Sequence, residues 1–464
     1  MWWLLILAGL LALLLIYSSA SRGAKCPPLR TGWLPWLGCA VEFGKEPLNF
    51  IKKTKDELGH VFTIHAAGKY MTFVTSPTHH NYFFHTTHAD FQQAVQPFTE
   101  RAAGVSKSSF FTYHSSMHDL IKGSFVPASL STICDLLSSK LHYGISKMED
   151  REMDLMMLVK SIMFPATVAR LFGDDVMPEG KDKVLEFQEH FFKYDQDFEY
   201  GAELPSVLLR EWSTHKKWLQ KLFQQFLMKR DGAEMSDSSQ SVFNKILATV
   251  DKENAPNYGV LLLWASQANA TPMVFWTLCF ILSDPVIHQA VTQEVTSILP
   301  PLDELGHTPI TYEMIQQLLT VKRCVLEAIR LRPPGMITRK VTETHTLGDY
   351  TIPQGHYLML SPFWEHRNPD LFPSPDKFDP DRWRSCDLNK NQFLEGFVGF
   401  GGGRYQCPGR WFALMEMHLV VAMVIHMMDF QMLDQVPDPS PLHLVGSPQP
   451  QQPCRVAVQL KNKY

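Results

Sequence analysis

The longest uncharged apolar stretches set the outline of this chain. Residues 2–17 carry no charge, and the apolar segment reaches about residue 20 before Arg22. Roughly twenty residues cross a hydrocarbon core, so this is a short membrane span or a signal peptide. No Lys or Arg precedes the run, while Arg22, Lys25 and Arg30 follow it. That asymmetry predicts a retained anchor with its C-terminal side in the cytosol. Pro27, Pro28, Gly32 and Pro35 then mark a stiff, extended connector. The expected division is an anchor over 1–21, a proline-rich hinge over 22–38 and one large domain over 39–464.

Beyond the hinge, residues 62–66 and 71–75 flank 68–70 and predict a β-hairpin. From residue 78 to about 282 the pattern is mainly helical. Residues 187–200 (FQEHFFKYDQDFEY) are aromatic and acidic, Pro205 interrupts, and helical periodicity resumes over 207–228. Residues 260–282 are uncharged and by length could span a membrane. Ser266, Gln267, Asn269 and Thr271 cluster in its middle, just ahead of Pro272. Such side chains are costly against lipid and sensible against an internal cavity. Pro272 cannot donate to the Ala268 carbonyl, which predicts a kink there. The freed oxygen beside Asn269 is a natural water site. Residues 347–360 predict a hairpin around 353–355, and 411–428 read as a buried helix.

Composition narrows the field. The chain has 464 residues, 45% of them hydrophobic, and a net charge of −4. With no basic tract, nucleic acid is not the expected partner. The eight cysteines (26, 39, 134, 279, 324, 386, 407 and 454) include no C-x-x-C pair. That is neither a zinc pattern nor a disulfide framework, and it fits a reducing, cytosol-facing domain.

One cysteine stands out by its setting. Residues 400–409 read FGGGRYQCPG, directly ahead of the last apolar helix. Pro408 suits a first helical position, which puts Cys407 at a helix N-terminus. The dipole and unpaired N–H groups there favour a thiolate. Gly401, Gly402, Gly403 and Gly409 let the backbone approach something flat or bulky. A thiolate held this way is what an axial ligand to haem iron requires. A lone cysteine is far more often simply buried, so the spacing has to carry the assignment.

Phe400, Gly403, Cys407 and Gly409 match F-x-x-G-x-x-x-C-x-G, and the chain resembles the cytochrome P-450 family from the hinge onward. Glu327 and Arg330 share a helix face and match the family's E-x-x-R. Residues 375–383 (PDKFDPDRW) are similar to its P-x-x-F-x-P-x-R-F segment. The resemblance implies a mainly α fold, a large helical domain with small β-sheets, holding haem b on Cys407 with Phe400 beside it. It implies a buried ion cluster of Glu327, Arg330 and Arg382, costly to break. Arg339 falls where the family binds a haem propionate. Lys122, in 118–122 (HDLIK), is the candidate for the arginine of W-x-x-x-R, with His118 behind it; Tyr405 replaces another usual arginine and Arg404 is shifted by one. Helices around 187–228 would roof the substrate pocket, Ala265, Met336, Ile337 and Val445 would line it, and 443–446 would form a turn tip there.

The family's oxygen-groove motif A-G-x-[DE]-T is replaced by ASQANAT over 265–271. Ala268 stands at the acid and Asn269 at the threonine. This pattern resembles the branch of sterol 7α-hydroxylases and prostacyclin synthases, a monooxygenase and an isomerase. With 187–200 it points to an oxysterol 7α-hydroxylase, acting on a substrate such as 24-hydroxycholesterol. The implied enzyme is a microsomal monooxygenase with a single-pass anchor in the endoplasmic reticulum membrane and its catalytic domain on the cytosolic face. It would use O2 and NADPH-derived electrons from a flavoprotein reductase docking near Cys407, with Asn269 and a water relaying protons. An isomerase that rearranges a peroxide without a reductase stays open, as does a non-catalytic haem-binding protein.

Overall fold

The computed structural model describes residues 25–204, 206–230, 241–388, 392–442 and 445–461. The expected anchor over 1–21 lies outside them, as do His443 and Leu444 of the expected pocket turn. The chain divides into two units, described separately.

One unit comprises the residues up to 95, with 336–365 and 402–405. Its frame is a six-stranded sheet in the order Leu29–Arg30, Val61–Ala66, Lys69–Val74, Tyr357–Leu360, Ile337–Val341, Ala89–Asp90. The first expected hairpin forms, with Val61 opposite Val74 and Ala66 opposite Lys69. Its turn is Ala67-Gly68, slightly earlier than the sequence suggested, with φ of 49° and 75°. Positive φ at both turn residues matches the twist of the flanking strands. The second expected hairpin is corrected. His345–Leu347 pairs with Tyr350–Ile352 around Gly348, whose φ is 56°. Tyr357–Leu360 instead enters the large sheet, parallel to Lys69–Val74 and antiparallel to Ile337–Val341. Phe50, Ile51, Phe62, Ile64 and Phe73 form the core between this sheet and the helix Pro47–Leu58.

The other unit comprises 96–335, 366–401 and 406–464, and it is mainly helical. The uncharged run at 260–282 becomes two helices, Ala255–Gln267 and Ala270–Ser283. They break at Ala268 and Asn269, where Pro272 has no N–H to return to the Ala268 carbonyl. The helical ladder resumes with Met273 N donating to Asn269 O at 3.2 Å. The second half is almost wholly buried, so this is a broken core helix. Arg410–Met427 is likewise a core helix; its apolar length would suit a membrane, yet 83% of it is buried in the protein. The helices expected to form the roof run over Lys181–Gln196, Phe198–Glu203 and Arg210–Arg230. A small antiparallel sheet joins Met428–Met432, Arg455–Leu460 and Arg151–Asp154. All eight cysteines are free thiols.

The core helix Arg410–Met427 carries a buried acid, Glu416. Its Oε1 accepts from Thr167 Oγ1 at 2.5 Å, and its Oε2 has no hydrogen-bond partner among the described residues. Burial pushes the carboxyl up from 4.5 to about 8. The unfolded chain therefore releases this proton at lower pH than the folded protein, and stability falls as pH rises from about 4.5 to about 8. Glu416→Gln should remove that slope. The expected gain is on the order of 4 kcal/mol at pH 8 and close to none at pH 4–5. Denaturant midpoints measured across this range check it; parallel profiles for the two proteins would refute it.

Candidate active site

Glu327 and Arg330 lie one turn apart in the helix Leu319–Leu331, and both side chains are fully buried. Glu327 Oε1 accepts from Arg330 Nη2 (2.8 Å), Asp379 N (3.0 Å) and Arg382 Nε (3.2 Å). Its Oε2 accepts from Arg330 Nε (2.9 Å) and Trp383 Nε1 (3.0 Å). The other Arg330 donors go to the carbonyls of His366 (2.8 Å), Pro375 (2.6 Å) and Lys377 (3.0 Å). All five N–H donors of the guanidinium are thus used. The structure brings Glu327, Arg330 and Arg382 together and adds the Trp383 indole, to which the sequence assigned no role.

His366 carries this cluster onward. Its Nδ1 donates to Arg330 O at 3.1 Å, and its Nε2 accepts from Val398 N at 2.9 Å. A single neutral tautomer satisfies both bonds. The ring stacks on Phe397 at 5.1 Å. Val398 opens the cysteine loop: Gly401 N donates to Val398 O at 2.9 Å, with Gly401 at φ 69°. Cys407 N donates to Phe400 O at 2.9 Å and closes it. The Phe400 ring lies against Phe393 and Phe397. The last helix starts at Arg410 with Gly409 as its N-cap, so Pro408 precedes the helix instead of opening it. The cause is a tight turn, Arg410 N to Cys407 O at 3.4 Å, that delays the first helical bond to Ala413 N and Gly409 O. Cys407 is exposed, unlike every other cysteine. Protein crowding around the sulfur pushes its thiol up; the Gly409 N–H and the Arg410 guanidinium pull the other way. Among the described residues, chain neighbours aside, nothing lies within 4 Å of where a Gly409 Cβ would sit.

Arg339 belongs to the strand Ile337–Val341 and is buried. Its guanidinium faces the rings of Phe83 (5.3 Å), Phe91 (5.1 Å) and Tyr405 (5.1 Å), and donates to Thr338 O at 2.9 Å. Burial pulls it down to about 10. Tyr405, at a usual arginine position, donates its hydroxyl to Asp90 Oδ2 at 3.0 Å. In the same unit Met336 packs on the apolar core and Ile337 pairs with Leu360. Lys122 is exposed in the last turn of Lys107–Ser124. His118, one turn earlier, brings Nε2 within 3.3 Å of Gln406 O, beside Cys407.

Asn269 is turned toward the C-terminal part of the chain. Its Oδ1 accepts from Ser447 N (2.9 Å) and Ser447 Oγ (3.1 Å). The acceptor end is therefore committed, and the amide N–H2 is the end that can hold a water. Ala265 is exposed on the helix before the break, and Val445 is partly exposed.

The Cytochrome P450 family model matches residues 27–458. The chain is 41% identical to 24-hydroxycholesterol 7-alpha-hydroxylase of Homo sapiens over 97% of each chain. It is 40% identical to the enzyme of that name in Mus musculus, over 93% of this chain and 92% of the other. The solved structure of retinoic acid-bound cyanobacterial CYP120A1 shares the fold, with a TM-score of 0.77 at 22% identity over 95% of this chain and 100% of that one. The chain belongs to the cytochrome P450 family, the haem-thiolate monooxygenases. The residues present fit a haem. Cys407, the exposed cysteine, offers a soft sulfur donor of the kind haem iron takes.

Removing the carboxylate that gathers the ion cluster should be severe. Glu327→Ala leaves two buried guanidinium groups unpaired and is expected to cost about 3–5 kcal/mol. The milder Trp383→Phe deletes one N–H donor and should cost about 1–2 kcal/mol. Denaturant unfolding and haem content per chain measure both; a Glu327→Ala protein of ordinary stability would contradict the cluster's role.

Proposed function

We propose that this protein is a sterol 7α-hydroxylase that inserts one oxygen atom of O2 into an oxysterol such as 24-hydroxycholesterol. The supporting observation is 41% identity, over 97% of the chain, to a relative of that name. Cys407 would hold the haem iron through its thiolate sulfur, with Phe400 at the loop's start. Arg339 is the partner for a haem propionate, and Lys122 is a further candidate cation. When bound, the haem would supply oxygen activation, with Cys407 as its electron-rich sulfur donor. Electrons come from NADPH through a flavoprotein reductase docking on the Cys407 face. Ala265 and Val445 contact the sterol, and Met336 and Ile337 are further candidates. The Asn269 amide N–H2 holds a water that delivers protons. Residues 1–21 anchor the enzyme in the endoplasmic reticulum membrane and 22–38 form the hinge. Residues 39–464 face the cytosol as the catalytic domain.

Product analysis with a panel of oxysterols, NADPH and reductase tests this reading. The expected result is a 7α-hydroxylated sterol with substrate-dependent NADPH use. Rearrangement of a peroxide without NADPH would instead support an isomerase, and haem binding without turnover a carrier. Cys407→Ala should abolish the thiolate-type Soret band of the reduced carbon monoxide complex; a variant that keeps the band overturns the ligand.

Asn269→Ala should retain haem and sterol but uncouple NADPH use from product. One lost positioning hydrogen bond lowers turnover about ten- to a thousandfold. Asn269→Thr should keep more coupling, because a hydroxyl also donates and accepts. Ser447→Ala removes only one donor to Oδ1 and separates the two duties of the amide: coupling should persist there. Unchanged coupling in Asn269→Ala would end the relay role.

A further inference from the structure

Two side-chain oxygens gather three consecutive backbone N–H groups at one turn. Glu199 Oε1 accepts from Val445 N (2.7 Å) and Gly446 N (3.3 Å). Asn269 Oδ1 accepts from Ser447 N at 2.9 Å. Trp276 Nε1 donates to the next carbonyl, that of Pro448, at 2.7 Å. Asn269 and Trp276 belong to the broken core helix, and Trp276 is fully buried. Glu199 reaches the turn from the roof, in the short helix Phe198–Glu203.

The residue before Glu199 ties the same short helix to the broken core helix at a second point. Phe198 is buried and stacks on Trp264 with ring centroids 3.8 Å apart and planes 10° from parallel. Trp264 adjoins Ala265. Neighbouring roof residues therefore hold two of the proposed sterol contacts, one by a ring stack beside Ala265 and one by a carboxylate on Val445. Adjacent N–H groups aimed at one acceptor form a concave anion seat, and a carboxylate there makes charge-assisted bonds. The core-helix ties fix the far side of the turn. Glu199 alone among these three side chains sets its distance from the roof.

We propose that Glu199 is a specificity-determining positioning residue, a latch that fixes where Val445 stands in the sterol site and so which sterol carbon is presented. The proposal rests on the sterol reading above. Without the latch, the turn keeps its core-helix ties but loses its roof contact. The sterol then binds less tightly and in more than one pose.

Hydrogen exchange of the 445–447 amides, read by mass spectrometry on the haem-loaded full chain, reports the latch directly. In Glu199→Ala, exchange at Val445 and Gly446 should quicken about tenfold or more, as for a lost charge-assisted bond. KM for the oxysterol should rise about tenfold, kcat should fall less, and the product should spread over more than one position. Glu199→Gln keeps an oxygen acceptor without the charge and should fall between, which also covers a failure of the alanine variant to fold. The reduced carbon monoxide spectrum should not change in either. Unchanged exchange in both variants overturns the latch. Faster exchange with unchanged KM and product pattern also overturns it, leaving a structural tie. If the unmutated enzyme hydroxylates no sterol in the panel, the sterol reading fails and takes the specificity role with it, an outcome that exchange data alone cannot produce.

Discussion

A carboxylate removed from water must find all its partners inside the protein, and Glu327 imposes that condition on the region around it. Its oxygens accept from two guanidinium groups, an indole and a backbone amide. Burying such a charge is tolerable only when every remaining donor and acceptor is satisfied. The donors come from a helix and from 379–383, and Arg330 in turn takes up carbonyls at 366, 375 and 377. These segments largely lack a strand or helix ladder, so their carbonyls have no neighbour of their own to bond. One arginine therefore solves two problems: it neutralises the acid and satisfies irregular backbone. A lysine could do neither as well, because its donors radiate from a point and lack the planar fork.

The same cluster reaches the cysteine loop through an imidazole. Arg330 O, His366 and Val398 N form a continuous hydrogen-bonded relay from the helix to the loop's first turn. The loop itself is then closed by its own backbone at Phe400 and Cys407. Asn269 follows a comparable logic. Pro272 opens the helical ladder, and the residue exposed by the break spends its carbonyl on Met273 and its side-chain oxygen on Ser447. A local defect in one helix becomes an attachment point for a distant turn.

What the sequence made legible was local. The cysteine loop, the Glu-x-x-Arg pair and the proline break each depend on residues within one or two turns, and their spacing survives as a pattern. The hairpin at 61–74 was legible for the same reason. Its neighbour was misplaced because Gly348 and Gly355 both suit a turn, and only the pairing of Tyr357–Leu360 with Lys69–Val74 decides between them. The helix start was set two residues early because a proline rule for first helical positions competes with a turn closed from Cys407 to Arg410. The partners Glu199 and Val445, 246 residues apart, or Asn269 and Ser447, 178 apart, carry no local signal at all.

That shifted helix start changes the account of the proposed ligand. At the N-terminus of a helix opened by Pro408, Cys407 would sit among the unpaired N–H groups and draw on the helix dipole, an effect that falls off within the first turn. Placed one tight turn ahead of Arg410, it keeps only the Gly409 N–H and the Arg410 charge on its side, against crowding that favours the neutral thiol. The protein alone thus prepares the position of the sulfur more than its charge. A bound metal cation is the largest local charge in such a site and deprotonates a coordinating thiol outright. The loop's contribution is geometric: turns at Gly401 and Cys407, and the His366 tie, fix the position of Cys407, which is exposed where the other seven cysteines are partly or fully covered. Rigidity supplied by the Glu327 cluster and charge supplied by the metal are then separate conditions, and both must be met for a thiolate to be presented.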